Sequence, residues 1–118
     1  MRERDLDLRL LSFAARVTAL AGALPKTAGG RHIANQLLRA GTSAGANYQE
    51  AQGGESRADF VHKLQIALKE VRESNYWLRL IAEAKLLPAS RLTSILDESQ
   101  QLTAILSKAV ATAKGTSR

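Results

Sequence analysis

Imidazoles, carboxylates and hydroxyls are the groups in this 118-residue chain that could do chemistry, and their spacing decides which chemistry is open. His32 and His62 are its two histidines. His62 follows Asp59 in an Asp-x-x-His, but a di-iron bundle needs a Glu-x-x-His on two helices and a further Glu from each of the others. If the segments holding His32 and His62 pair antiparallel about residue 54, the imidazoles fall about 15 residues out of register, roughly 22 Å at 1.5 Å per residue. No metal site within one chain is expected. Serines are plentiful, yet nothing sets one on a strained elbow or brings a histidine and an acid to it, so no hydrolytic triad is expected. The small-residue run "AGTSAGA" (40–46) lacks the G-x-x-x-x-G-K-[ST] spacing, and the lysine, of a phosphate-binding loop. There is no cysteine, which removes disulfides, thiolate metal sites and cysteine nucleophiles. The expectation is a non-enzymatic protein with no catalytic residue, no cofactor and no metal.

The elements that carry these residues read as helices. Large apolar residues at Leu6, Leu10, Phe13, Val17, Leu20 and Leu24 alternate steps of four and three, one helical stripe. Leu24-Pro25 ends it, because the residue before a proline is pushed out of the α region. Ile33, Leu37, Ala40, Ala44, Asn47 and Ala51 keep the same rhythm until "QGGES" breaks it. Ser56 followed by Asp59 resembles a capping box, and Phe60, Leu64, Ala67, Val71, Ser74, Leu78 and Ile81 form the next stripe. Pro88 suits the first turn of a last helix, whose stripe is Leu92, Leu96, Leu106 and Val110 with Ile95, Leu102 and Ile105 flanking. The predicted helices span about 5–23, 28–52, 57–85 and 88–113 of a single domain over residues 1–118. Short links require antiparallel neighbours, so the fold expected is an all-α, up-down-up-down antiparallel four-helix bundle.

Apolar residues at 45% and charged residues at 24% are ordinary for a globular chain, while 17 basic against 11 acidic residues give a net charge of +6. With a pI near 10.2, such a field favours polyanions, RNA and DNA first. "RLLSFAARVTALAGALP" has the apolar tone of a secretory signal, but Arg9 and Arg16 interrupt it and Glu3, Asp5 and Asp7 precede it, so it reads as an amphipathic helix. No run approaches 18 uncharged apolar residues, and no membrane partner is expected.

A helix in a lone bundle needs one apolar stripe, so a second one implies a cover. Leu8, Leu11 and Ala15 lie opposite the core seam of the first helix. Ala34, Leu38, Gly41 and Gly45, bordered by Tyr48, make a second stripe on the next, and Ile66, Trp77, Leu80 and Ala84 on the third. The fourth, with Thr93, Ser94, Asp97, Glu98, Gln100 and Gln101, reads as solvated. Another copy of the chain is the expected cover, with Leu8, Leu11, Leu38, Gly41, Gly45, Tyr48, Ile66, Trp77 and Leu80 at the subunit interface. Within the chain, residues whose numbers sum to about 109 should face each other across the second and third helices. Arg39 should then pair with Glu70, and Asn47, near Val61 and His62, should make a half-buried hydrogen bond; with Glu50, these polar residues set alignment rather than catalyse.

"QLLRAGTSAGANYQEA" (36–51) with "SRADFVHKLQIALKEVRESNYWLRLI" (56–81) resembles the bacterial four-helix-bundle family that includes proteins encoded by intervening sequences in 23S rRNA genes. The accessory variability determinant of diversity-generating retroelements is a relative of that family. The resemblance covers essentially the whole chain, and its signature residues here are Arg39, Ser43, Asn47, Glu50, Ser56, Phe60, Leu64, Ala67, Glu70, Ser74 and Trp77. Gln49 departs from it, standing where a basic residue is expected. The resemblance implies a cytoplasmic protein assembled as a ring of five bundles, without known catalytic residues. Through the retroelement relative it also implies binding to nucleic acid and to a reverse transcriptase by basic surface.

Two functions follow. In one, RNA or DNA binds by phosphate contacts to Arg9, Arg16, Lys26, Arg31 and Arg39 on one side and to Lys108, Lys114 and Arg118 at the tail; with few aromatic stacking partners, such binding should be non-specific and salt-sensitive. In the other, the ring is a scaffold or adaptor for a protein partner, and the charges are a solvated face with pairs such as Asp59–Lys63 and Arg79–Glu83.

Overall fold

Each apolar repeat folds into a helix of nearly the expected length. The computed structural model describes residues 2–115, the side chain of Glu3 excepted, and consists of α1 (Glu3–Gly22), α2 (Ala28–Gln52), α3 (Arg57–Glu83) and α4 (Thr93–Ala113), with a three-residue 3-10 turn at Ala89–Arg91 before α4. The ends are set by local chemistry. Thr27 caps α2 by accepting from Gly30 N–H at 3.1 Å, and Ser56 caps α3 by accepting from Asp59 N–H at 3.0 Å. Gly30 is also where the α1–α2 link closes on itself, since a Cβ there would lie 2.1 Å from the Pro25 carbonyl oxygen.

The α3–α4 link differs from the expected one. Lys85 takes a left-handed φ of 55° and Leu86 N–H returns to Ile81 C=O at 3.1 Å, which stops α3 at Glu83. Pro88, expected in the first turn of α4, has an extended ψ of 142° and precedes the 3-10 turn, so α4 begins at Thr93.

Named contacts order the four helices. Val17 packs at Gly41 and Leu10 at Gly45 between α1 and α2. Arg39 meets Glu70 and Lys63 meets Glu50 between α2 and α3. Asn75 meets Ser99 and Arg57 meets the Ala113 carbonyl between α3 and α4. Arg9 meets Glu98 and Arg16 meets Ser94 between α1 and α4. At every seam the numbers rise on one helix as they fall on the other, as antiparallel packing requires. At about 1.5 Å per residue α3 is about 40 Å long, which accounts for most of the 44 Å long axis.

Phe13, Leu10, Leu37, Leu64, Leu78, Ile81, Leu92, Leu102 and Leu106 fill the centre. Two stripes shift from expectation. On α2, Tyr48 is buried and Asn47 is half-buried, because Gly41, Ala44, Tyr48 and Ala51 face the neighbours. On α4, Ile95, Ser99 and Leu102 are inside and Leu96 is half-buried. Among the described residues no helix is long and apolar enough to cross a membrane.

Candidate nucleic-acid and subunit interfaces

The seam between α1 and α4 is much the smallest of the four, and polar groups close it. Arg9 reaches across with Nε to Glu98 Oε2 at 3.0 Å and Nη2 to Glu98 Oε1 at 2.7 Å, and Nη2 also donates to Gln101 at 3.1 Å. That hydrogen bond to Glu98 holds the guanidinium above its ordinary pKa against the burial that opposes its charge. Arg16 donates to Ser94 Oγ at 2.9 Å. Arg9 and Arg16, expected to meet phosphates, are therefore anchored within the chain, and the α4 face expected to be solvated supplies their partners.

Arg39 is anchored too. Its Nη1 lies 3.3 Å from both carboxylate oxygens of Glu70, and its Nη2 binds Glu73. Asn47 makes a half-buried bond, but to Ser43 C=O of its own helix at 2.9 Å rather than across to α3. Glu50 crosses to α3, where Lys63 Nζ donates to it at 2.7 Å in place of the expected Asp59. The same hydrogen bond, then the Glu50 charge, hold the Lys63 amine above its usual pKa.

Arg16 and Arg39 stay exposed despite these bonds, and the remaining candidate cations are exposed too: Lys26 and Arg31 at one end of the bundle, Lys108 and Lys114 toward the other. Arg118 lies outside the described residues. Antiparallel pairing adds a group that residue counting missed. The α3–α4 link folds to the same end as the α1–α2 link, so exposed Arg79, Lys85 and Arg91 join Lys26 and Arg31 there. Residues 20–32 and 78–92, which build that end, contain one carboxylate, Glu83. Residues 8–49 contain none at all, a segregation that was readable in the sequence once the pairing was known.

The apolar candidates divide similarly. Leu8, Leu11 and Leu38 are 51%, 65% and 37% exposed, large side chains that α1 and α2 leave to solvent. Leu11 borders a shallow groove lined also by Ala14, Thr42, Gly45, Ala46 and Gln49. Ile66, Trp77 and Leu80 are half-buried. Gly41 and Tyr48 are not available as a subunit surface: a Cβ on Gly41 would sit 2.6 Å from Val17 Cγ1, and Tyr48 is buried in the core. Their small and aromatic characters serve packing inside one chain.

His62 and His32 are both exposed, and His32 stands edge-on to Trp77 at 5.8 Å. Among the described residues no three of His, Cys, Asp and Glu come together in a way that could hold a metal ion.

The profile of the 23S rRNA-intervening sequence protein family matches residues 9–108. A crystal structure of a protein of unknown function from the S23 ribosomal protein family of Bacteroides thetaiotaomicron superposes with a TM-score of 0.85 at 35% identity, covering 93% of this chain and 98% of that one. No curated protein matches the chain.

Proposed function

Since the chain belongs to the 23S rRNA-intervening sequence protein family, whose solved neighbour is itself of unknown function, we propose a role from the surface: a non-enzymatic, self-associating bundle that holds RNA or DNA by its phosphates. The observation that carries this reading is the basic end, where Lys26, Arg31, Arg79, Lys85 and Arg91 are exposed against the single carboxylate of Glu83. Phosphate contacts of that kind supply sequence-independent affinity through counterion release. Copies associate through α1 and α2, around Leu8, Leu11 and Leu38, in the five-membered cytoplasmic ring that the resemblance implies. A ring would repeat the basic end around one axis and multiply the weak contacts of each copy.

The scaffold reading draws support from Arg9 and Arg39, whose charges are paired with carboxylates of the same chain, and from Arg16, which is bonded to Ser94. The two are separated by titrating structured RNA and duplex DNA at about 50 and 200 mM salt while measuring the particle mass by light scattering. Five phosphate contacts predict an affinity loss of about 10²- to 10³-fold over that range, with a mass well above one chain. No binding at the lower salt leaves the scaffold reading, and a monomer at micromolar concentration removes the ring.

A further inference from the structure

Three rings gather on α3 and the facing turn of α2, although the chain has few aromatics. His32 meets Trp77 edge-on with an interplanar angle of 82°, and Tyr76 meets the same indole at 5.2 Å and 76°. The indole is half-buried against the core, and its Nε1 donates to Glu73 Oε2 at 3.2 Å, the carboxylate that Arg39 also grips. Trp77 is therefore fixed. Tyr76 is 54% exposed, and its contact with that fixed indole limits the freedom it would lose on binding.

The surroundings of Tyr76 are cationic. At about 100° per residue, Lys69, Arg72, Arg79 and Glu83 all fall within about 60° of it, on the side of α3 away from buried Val71 and Leu78. All four are exposed; Glu73, also about 60° away, is half-buried and held by Arg39 and the Trp77 indole, so three exposed cations and one exposed carboxylate surround the phenol ring. Arg79 and Glu83 also belong to the basic end, which makes the two surfaces continuous.

We propose that this face of α3 binds single-stranded nucleic acid, an unpaired base stacking on Tyr76 while Lys69, Arg72 and Arg79 take the flanking phosphates. The proposal rests on the nucleic-acid reading above and narrows its substrate class. A duplex buries its base faces in its own stack, so it can use the cations but not the ring. An unpaired strand uses both. Stacking accepts any base, so the preference is for strandedness rather than sequence.

Trp77 is the chain's one tryptophan and touches Tyr76, so its fluorescence reports occupancy of the site. The probes are an oligothymidylate of about twelve nucleotides, within the length such surfaces cover, and a duplex of equal length. At about 50 mM salt the single strand should change Trp77 emission and bind more tightly than the duplex. Tyr76→Ala should weaken single-strand binding about tenfold and leave duplex binding unchanged, while Tyr76→Phe should bind as the parent does. Circular dichroism of both variants should match the parent. Equal affinity for both probes, or full single-strand affinity in Tyr76→Ala, overturns the stacking proposal and leaves phosphate binding standing. Binding of neither probe overturns both.

Discussion

Gly41 is the residue where α1 and α2 come closest, and its lack of a side chain is a packing requirement. A Cβ would lie 2.6 and 2.9 Å from the two γ-methyls of Val17, a β-branched side chain that is fully buried and cannot swing aside. Gly41→Ala should therefore destabilise the protein by about 1–3 kcal/mol, the usual cost of overpacking. Gly29, in the first turn of the same helix, has no atom within 4 Å of its would-be Cβ, so Gly29→Ala should be neutral or stabilise by up to about 1 kcal/mol. Denaturant midpoints of the two variants check the contrast, and equal shifts would remove the packing explanation. The sequence shows small residues at 40–46 but not which of them face inward. Gly41 read as part of an outer stripe because two helices flank α2, and a one-helix periodicity cannot say which neighbour a second stripe meets. The Arg39–Glu70 pair was legible because it depends on register alone. The Asn47 partner was not, because an amide can satisfy itself on the preceding turn of its own helix, as Asn47 does at Ser43.

Helix lengths were legible wherever a strong local signal marks the end. Leu24-Pro25 and Ser56 each supply one, and the end of α1 and the start of α3 follow them, while the Thr27 cap of α2 is a signal of the same kind that the apolar rhythm alone had to stand in for. The α3–α4 link was not legible, because its stop is a lysine in the left-handed region rather than the glycine that usually signals one. Pro88, read as the first turn of α4, instead leads into the 3-10 turn at Ala89–Arg91. The α1–α4 seam depends on pairs that no helix reveals by itself. Arg9 and Glu98 are 89 residues apart, and only closure of the bundle brings them together. Because this seam has the least packing, its polar bridge should control its opening. Arg9→Met should cost about 1 kcal/mol and speed amide exchange in α1 and α4 before α2 and α3, read by mass spectrometry. Uniform acceleration in all four helices would show that the bridge does not hold the seam.

For the whole molecule, the charge pattern carries more meaning than the net charge. A value of +6 fits many small proteins, but three of the candidate arginines, Arg9, Arg16 and Arg39, are bonded to side chains of neighbouring helices, and five exposed cations with no such bridge among the described residues gather at one end. Antiparallel topology creates that end by bringing together two links that lie more than fifty residues apart in the chain. Composition could suggest a polyanion partner, and the fold was needed to say where one would sit. The most direct test is the salt dependence of duplex DNA binding in the parent and in a variant carrying Arg31→Gln, Lys85→Gln and Arg91→Gln, all exposed positions. If the basic end holds the phosphates, the slope of log affinity against log salt should fall in magnitude by about 2–3, close to 0.9 for each contact removed. An unchanged slope in the triple variant would contradict the account.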